Sequence, residues 1–459
     1  MLSPVRSFLV LALSASALAA AAAGAETAAK PQAAPALSLS HALAQAAARN
    51  ETNEIAAARL QRVQALEHQA YSLLKPNVDA IGSYETTSFS DAPFANRPIE
   101  TFRGEVGVDL SLFNASAFPA VSAARKNVAA QVYDSRELRR SLAFSVARAF
   151  INVIAAERQR EAALRRRTVA QRVVSDARAR ADAGLASEND ATRAKLELSR
   201  AELSVTTAQQ AVITTRLILA DLMGIPADGA LSDPGEIALP GRNAAELERI
   251  AKGRREDIAA ARLRVEVERK LAQQSRLGAV PNLGVRGSYG DQSHSSAFQP
   301  DDPQWTVALT ARWSIYDGGR REAEADGHDA AARENRALHA SSVRTLTLDL
   351  RTALTALDTA ESTVVQSEVG LSVAQTNARE VEARAAQGLA TAFEVADANA
   401  SAFEAEVELA RRRLDLSASR FDLRRVVGLW PLADAETAPA QAQPAHARPV
   451  QTQPVKAEQ

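Results

Sequence analysis

The stretch Pro76-Asn-Val-Asp-Ala-Ile-Gly-Ser-Tyr84 decides the fold, because the chain repeats it as Pro281-Asn-Leu-Gly-Val-Arg-Gly-Ser-Tyr289. Upstream, Ile55-Ala-Ala-Ala-Arg-Leu60 returns unchanged at Ile258. Downstream, Arg180-Ala-Asp-Ala-Gly-Leu-Ala-Ser187 is echoed by Arg384-Ala-Ala-Gln-Gly-Leu-Ala-Thr391. The offsets of the three pairs are 205, 203 and 204 residues (281 − 76, 258 − 55, 384 − 180). A spacing that is kept across half of the chain predicts an internal tandem duplication.

The composition favours long, slender helices over a spherical core. The 459 residues are only 4% aromatic, and alanine and charged residues dominate, which suits helices packed closely side by side. The net charge of −1 gives no sign of a nucleic-acid partner. The chain has no cysteine, which excludes disulfides, thiolate metal sites, a cysteine nucleophile and acylation at an N-terminal cysteine. We therefore expect a protein that is not a lipoprotein.

Residues 1–25 have the pattern of a signal peptide. Arg6 precedes an apolar, alanine-rich run, and Ala23 and Ala25 form a small-residue cleavage site. A membrane anchor is the alternative interpretation, but the run is short for a spanning helix. A Pro/Ala linker over residues 26–36 follows, and no other stretch approaches the ~20 apolar residues of a membrane-spanning helix.

Both repeats have the same predicted plan of short helices, a β-hairpin and a long helical hairpin. In each repeat, apolar residues recur at helical spacing as far as a proline, Pro76 in repeat 1 and Pro281 in repeat 2. After the proline, apolar and polar residues alternate, which is typical of a strand. Glycines at 184 and 388 turn the long helices. The predicted boundaries are repeat 1 at 37–226 (β-hairpin about 78–113, helical hairpin about 118–223), a linker at 227–242, repeat 2 at 243–430 (β-hairpin about 283–316, helical hairpin about 320–427), and a disordered Ala/Pro/Gln tail at 431–459.

Four amphipathic strands of about ten residues have the length that crosses a bilayer at a tilt. Four strands cannot close a barrel, and open edges are not tolerated in lipid. The strands therefore either cover a soluble core or combine with strands from other copies. The long helices would extend about 100 Å, which is too long for a compact domain.

These motifs resemble the TolC-type outer-membrane efflux proteins. The resemblance rests on the duplication, the Pro-Asn-x-x-x-x-Gly-Ser-Tyr strand entries, Ile315-Tyr-Asp-Gly-Gly319 and the Gly-Leu-Ala-Ser/Thr tips, and it covers about residues 37–430. It implies a mainly α-helical homotrimer in which each protomer gives four strands to a shared 12-stranded membrane β-barrel above a periplasmic tunnel of coiled-coil hairpins. It also implies a passive exit duct in the outer membrane of a Gram-negative bacterium. Its partners would be a periplasmic adaptor and an inner-membrane pump or ABC exporter, in tripartite efflux or type I secretion.

The resemblance also suggests an acidic ring at the periplasmic aperture. Asp190 and Glu394 each lie six residues after a tip glycine, and Asp397 follows three residues later on the same helical face. Rings of carboxylates around a threefold axis favour cations. The plain alternative is that these acids are solvated surface charges. Arg193 replaces the second acid in repeat 1, and Ala385 and Ala390 stand where relatives have a Tyr/Arg latch.

The two tips resemble the adaptor-contact regions of the family, although such residues also simply cap and turn a helix. The tip residues are Gly184, Leu185, Ala186, Ser187, Gly388, Leu389, Ala390 and Thr391, and Pro76 and Pro281 are the predicted joints between helices and strands. We find no catalytic motif and no histidine pair at metal-ligand spacing, so we expect no enzyme activity, cofactor or metal. A periplasmic coiled-coil adaptor or a scaffold protein is the alternative function.

Overall fold

The computed structural model describes residues 36–87, 99–184, 187–294 and 303–432. The predicted signal peptide, the strand loops at 88–98 and 295–302, tip residues Leu185 and Ala186, and nearly all of the predicted tail lie outside this part of the chain. The elements in chain order are α1 Leu39–Arg49, α2 Glu51–Ser72, β1 Asn77–Thr87, β2 Ile99–Phe113, α3 Ala117–Asp182, α4 Glu188–Met223, α5 Ala244–Arg254, α6 Glu256–Leu277, β3 Asn282–His294, β4 Gln304–Arg312, α7 Arg320–Ala386 and α8 Ala392–Val427.

The fold is mostly helical, with one small antiparallel sheet, as the sequence predicts. Helices α3 and α7 contain 66 and 67 residues, so each extends about 100 Å at the usual helical rise. Each packs antiparallel against its successor, α4 or α8. Both shorter helices end at a glycine with positive φ, Gly224 at 67° and Gly428 at 85°, the backbone region that glycine enters without a steric cost.

The duplication is visible in two similar hydrophobic cores. The first is built by α1, α3 and α4 around Val146, Phe150, Leu219 and Met223. The second is built by α5, α7 and α8 around Leu247, Leu346, Leu350, Leu357 and Leu423. Each core places one short helix across the base of one long hairpin. Beside the first core, Leu37 at the start of repeat 1 forms a parallel bridge with Leu231 of the 227–242 linker.

The four strands form one sheet in the order β1-β2-β3-β4, and every neighbouring pair is antiparallel. Val78 pairs with Val108, Val108 with Gly287, and Gly287 with Val307. Because side chains alternate across a strand, this register collects the apolar residues on one side. We call this side the apolar face; it carries Val78, Tyr84, Phe102, Val106, Val108, Tyr289, Trp305, Val307 and Leu309. The opposite polar face carries Asp79, Glu105, Asp109, Arg286 and Thr306.

The last strand is shorter than its alternating pattern suggests. The alternation predicts a strand to about residue 316, but β4 ends at Arg312. Beyond it the chain is held by contacts to the helices: the Trp313 indole Nε1 donates to the carbonyl of Ala279 at 3.0 Å, and Arg321 donates to the carbonyl of Ser314 at 2.8 Å. Pairing with β3 ends at Arg312 because its partner Asn282 is the first residue of β3, and the preceding Pro281 has no N–H to donate.

Candidate functional site

Both helical hairpins turn at a glycine in the left-handed region, Gly184 at φ 73° and Gly388 at φ 77°. In the first tip, the hydroxyl of Ser187 accepts a hydrogen bond from the backbone N–H of Asn189 at 3.2 Å and so caps α4. In the second tip, the backbone N–H of Leu389 donates a hydrogen bond to the carbonyl of Arg384 at 2.9 Å. Its side chain is 64% exposed, while Ala390 is half-buried. The described tip residues are therefore fixed by capping and present an apolar side chain to the surroundings.

The second tip contains a complete capping box. The N–H of Glu394 donates to the hydroxyl of Thr391 at 3.2 Å, and the N–H of Thr391 donates to the carboxylate of Glu394 at 2.7 Å. The bond from the Thr391 backbone, together with its hydroxyl, lowers the pKa of Glu394 below its ordinary value. The candidate aperture acid is thus also the residue that starts α8. The Thr391-x-x-Glu394 spacing is the capping-box pattern, so the sequence contained this signal.

The two other candidate acids have different surroundings. Asp397 is exposed and lies three residues after Glu394 on α8, so these two side chains share a face of the helix. Asp190 is half-buried in the first turn of α4, and its N–H donates to the carbonyl of Ser187 at 3.0 Å. The structure places all three acids close behind the tips.

The two tips are joined to each other within the chain. Arg180 near the end of α3 donates from Nη2 to the carbonyl of Ala385 at 2.9 Å. Arg193 of α4 lies over the ring of Phe393 of α8, with the guanidinium carbon 5.2 Å from the ring centroid. A cation over an aromatic face is attracted to it. Sequence reasoning noted Arg193 as a departure from the acidic pattern, but it could not identify a ring on another hairpin as its partner.

The predicted joints connect helix to strand in both repeats. Pro76 lies directly before β1, after the final turn of α2, and Pro281 occupies the same place before β3. Near Pro281, the buried guanidinium of Arg321 pairs with Asp317 at 3.0 Å and donates to the carbonyl of Gly278 at 3.0 Å. Arg321 therefore ties the end of α6 to the start of α7, a role that no sequence pattern indicated.

A charged cluster crosses three strands on the polar face. Arg286 of β3 lies 2.9 Å from Asp109 and 3.5 Å from Glu105 of β2, and 3.5 Å from Asp79 of β1. It passes over Gly107, where an added Cβ would lie only 2.9 Å from Nη2 of Arg286. The missing side chain at Gly107 is what allows one guanidinium to reach the outer strand.

No other part of the chain that the structure describes covers the apolar face. Trp305, Val307 and Leu309 of β4 are 77%, 65% and 71% exposed, and the outer edges of β1 and β4 pair with no described strand. Among the described helices, none combines the length and the hydropathy needed to cross a membrane. The residues that the structure describes contain no group of three or more His, Asp or Glu side chains that could hold a metal ion.

The model of the outer membrane efflux protein family matches this chain twice, over residues 42–225 and 247–429. The chain belongs to the outer membrane efflux protein family. The two matched segments correspond to the two copies of the helix–strand–helix plan, which confirms the predicted duplication. The resemblance to TolC-type proteins is likewise confirmed.

Known proteins of this family are similar to the chain over most of its length. The pyoverdine export outer membrane protein OpmQ of Pseudomonas putida is 24% identical over 419 residues, which cover 85% of this chain and 86% of OpmQ. The structure of CusC has a TM-score of 0.75 at 16% identity and covers 85% of this chain and 92% of its own. The structure of the outer membrane protein VceC of Vibrio cholerae has a TM-score of 0.74 at 19% identity. The match covers 86% of this chain and 97% of the VceC chain.

Membership of the outer membrane efflux protein family settles the coarse function. The protein is an outer-membrane efflux channel by family, and the family and its structural neighbours are channels rather than enzymes. The fold of the neighbours is the helical tunnel and barrel that the sequence predicts.

Proposed function

We propose that this protein is the passive exit duct of a tripartite efflux pump or a type I secretion system. Three copies would pool their strands in a 12-stranded barrel in the outer membrane of a Gram-negative bacterium, and their helical hairpins would form a tunnel through the periplasm. A periplasmic adaptor would dock at the tips, and an inner-membrane pump or ABC exporter would supply the energy. The duct itself would catalyse no reaction and would carry no lipid anchor.

The observation that carries this proposal is a sheet with an exposed apolar face and two outer edges that pair with no described strand. Its apolar face is exposed, which favours contact with lipid, and its two outer edges have no described partner. Unpaired backbone groups are not tolerated in the hydrocarbon region. If strands of further copies close the sheet into a barrel, the outer edges gain partners and the apolar face can contact lipid. The polar face with Arg286 would then line the lumen.

The tips support a docking and gating role at the other end. Leu389 and Phe393 are exposed apolar side chains at the second tip, which is the kind of surface that a partner protein covers. Gly184, Ser187, Gly388 and Thr391 would fix the shape of the contact surface. Asp190, Glu394 and Asp397 would each occur three times around the axis and would form acidic rings that favour cations.

The native mass and the conductance of the protein test this proposal. Protein extracted from the outer-membrane fraction in mild detergent should have the mass of three mature chains plus detergent, each mature chain being the 48.8 kDa chain less the predicted signal peptide. It should also form ion-conducting pores in planar bilayers. A trimer that does not conduct would contradict the role as a duct. A monomer in the soluble periplasmic fraction would contradict the shared barrel, and an adaptor or scaffold would then be the better interpretation.

A further inference from the structure

The linker between the two repeats runs as an extended segment across all four helices of the two hairpins. We call residues 227–242 the strap; the structure describes all of them, and they contain no helix and no strand beyond the bridge between Leu231 and Leu37. Helix α4 packs on α3, α3 on α8 and α8 on α7. The strap contacts these four helices in the same order, so it passes from one edge of the paired hairpins to the other.

Arginines of the first hairpin hold the first part of the strap. Arg216 of α4 donates from Nη1 to the carbonyl of Ala227 and from Nη2 to the carbonyl of Gly229, the latter at 2.7 Å. Arg158 of α3 donates to the carboxylate of Asp233 at 2.6 Å. This part of the strap is therefore fixed to α4 and α3.

Arginines of the second hairpin hold the part that follows. Arg420 of α8 lies 3.1 Å from the carboxylate of Glu236. One turn later, Arg424 of α8 donates from Nη1 to the carbonyl of Ala238 at 2.8 Å. The strap is therefore anchored on α3 and on α8, which belong to different hairpins.

The strap also connects the two hydrophobic cores and ends on α7. Ile237 is buried in the first core, and Leu239 packs against the second. Residues two apart in an extended chain point to the same side, so both side chains face the helices. At the end of the strap, Arg242 donates to the carboxylates of Asp358 at 3.0 Å and Glu361 at 2.7 Å, both on α7.

The contact between α3 and α8 is incompletely packed at the level of the strap. Phe144 and Phe421 meet edge to face there, with ring centroids 6.3 Å apart, and a cavity of about 140 Å³ lies beside them. Ala418 of α8 lines this cavity, in the same turns of the helix that carry Arg420 and Arg424. Atoms that line a void lack contacts on one side, so the strap bridges the two helices where their own packing is weakest.

Direct charge pairing between α3 and α8 adds little at this level. Arg148 and Asp422 lie 3.7 Å apart, with side chains 63% and 41% exposed, and exposed pairs contribute little to stability. The strap anchors on α8 are better shielded from water, because the side chain of Arg420 is 18% exposed and Arg424 is buried. Hydrogen bonds from shielded guanidinium groups are the stronger ones.

We propose that the strap is a clamp that limits the distance between the two hairpins beside this cavity. The anchored residues Asp233 and Glu236 are three positions apart (236 − 233), and three extended residues reach about 10 Å, close to the spacing of about 8–10 Å between packed helices. The N–H of Gly235 also donates to Asp233 at 3.1 Å, a local turn that shortens this reach. The strap therefore has little slack, and α3 and α8 can separate here only if an anchor breaks.

The clamp acts within one chain and does not depend on the proposed duct. In the proposed trimer, and resting on that proposal, three straps would lie at one level around the tunnel. They would keep the wall closed beside the cavity while cargo passes.

Thiol labelling of the full-length protein in detergent tests the clamp. The chain has no cysteine, so Ala418→Cys places a single reporter in the cavity. Gly-Ser-Gly-Ser is inserted after Pro234, which gives slack between the anchors on α3 and α8. The matched control has the same insert after Pro240, between the anchors on α8 and α7, which belong to one hairpin.

We expect the insert after Pro234 to raise the rate of labelling by N-ethylmaleimide about tenfold over the protein without an insert, since this is the effect of losing one hydrogen bond to a charged group. The insert after Pro240 should leave the rate unchanged, although it lengthens the linker equally. Equal rates in the two inserted proteins, or no increase with the insert after Pro234, would overturn the proposal.

A second pair of variants keeps the proposal testable if the first insert prevents folding. Arg420→Met removes the anchor on Glu236 and should also speed labelling. Arg412→Met is its control, because the partners of Arg412, Glu408 at 2.6 Å and Asp415 at 3.4 Å, belong to α8 itself. An unchanged rate in Arg420→Met would contradict the clamp. Labelling requires a folded chain but no pore, so this result is independent of whether the protein is a trimeric duct.

Discussion

At the second tip, the carboxylate of Glu394 has a local role and a proposed collective one. Locally it accepts the N–H of Thr391 and closes the capping box of α8. In the proposed trimer, three copies of it would surround the tunnel opening together with Asp397. The two roles can be separated, because glutamine closes a capping box as glutamate does but carries no charge.

We expect Glu394→Gln to keep the helix start and to lower the preference of the pore for cations. Reversal potentials in planar bilayers under a salt gradient measure this preference. Thr391→Ala provides the matched control: it removes the cap, at a cost of about 1 kcal/mol, but leaves every charge in place. If Thr391→Ala changes the selectivity as much as Glu394→Gln does, the effect comes from the shape of the tip and the acidic ring has no electrostatic role.

The pH dependence of the cap has a defined sign. Hydrogen bonds from Thr391 depress the pKa of Glu394 in the folded protein, so the contribution of this carboxylate is present above the unfolded pKa and is lost as the pH falls through the folded one. We expect the hydrogen exchange rate in the first turn of α8, divided by the intrinsic rate of the same amides at each pH, to rise under acid conditions in the wild type. Glu394→Gln should not show this rise, and an acid response that persists in the variant would contradict the assignment.

Residues whose partners lie nearby in the chain could be predicted, whereas residues with distant partners could not. The tip glycines and the capping box are local patterns, so the sequence contains them. Glu256 is an acid in the first turn of α6, a position where acids are common. Its raised pKa comes from burial against α3, more than a hundred residues away, which periodicity cannot show. The same holds for Arg193, whose aromatic partner belongs to the other hairpin.

At the scale of elements, the backbones of the two repeats approach each other closely where β2 and β3 pair. Strand β3 of repeat 2 pairs with β2 of repeat 1. A Cβ at Gly290 would lie 2.9 Å from the carbonyl oxygen of Gly104 and 3.3 Å from the Cα of Glu105. Backbone atoms in a ladder cannot move aside as the end of a side chain can, so this glycine is required for the contact.

We expect Gly290→Ala to weaken the β2–β3 pairing by about 1–3 kcal/mol, the usual cost of overpacking. The readout is the temperature at which the detergent-solubilised oligomer dissociates in native electrophoresis. Gly287→Ala is the matched control, since it lies on the same strand with nothing within 4 Å of the added Cβ. Equal dissociation temperatures for the two variants would show that the contact at Gly290 is not a constraint.

The lengths of the elements were more predictable than the ends of the strands. Long helices follow from an unbroken apolar period and clear caps at Gly224 and Gly428. Strand β4 stops at Arg312 because its partner Asn282 is the first residue of β3, although Ile315 continues the alternation. An alternating pattern shows which side chains are apolar. It does not show whether a neighbouring strand is present for the backbone to pair with.

For the whole molecule, the two faces of the sheet must meet different solvents if the proposed barrel forms. The apolar face would lie against lipid and the polar face against the water of the lumen. Leu309 and Thr306 belong to the same strand, point to opposite faces and are both exposed in a single chain. Any difference between substitutions at these two sites therefore reports on the assembled environment and not on burial within one copy.

We expect Leu309→Lys to reduce the amount of oligomer in the outer membrane strongly, because a lysine near the middle of the lipid costs about 2–4 kcal/mol per site in a membrane barrel. In a trimer the site occurs three times. Thr306→Lys should assemble normally and should shift the pore toward anions, since its charge would face the lumen. Quantification of the oligomer in outer-membrane fractions, with conductance of the assembled variant, measures both effects. Normal assembly of Leu309→Lys would place the apolar face away from lipid, and loss of assembly in Thr306→Lys alone would reverse the proposed orientation of the sheet.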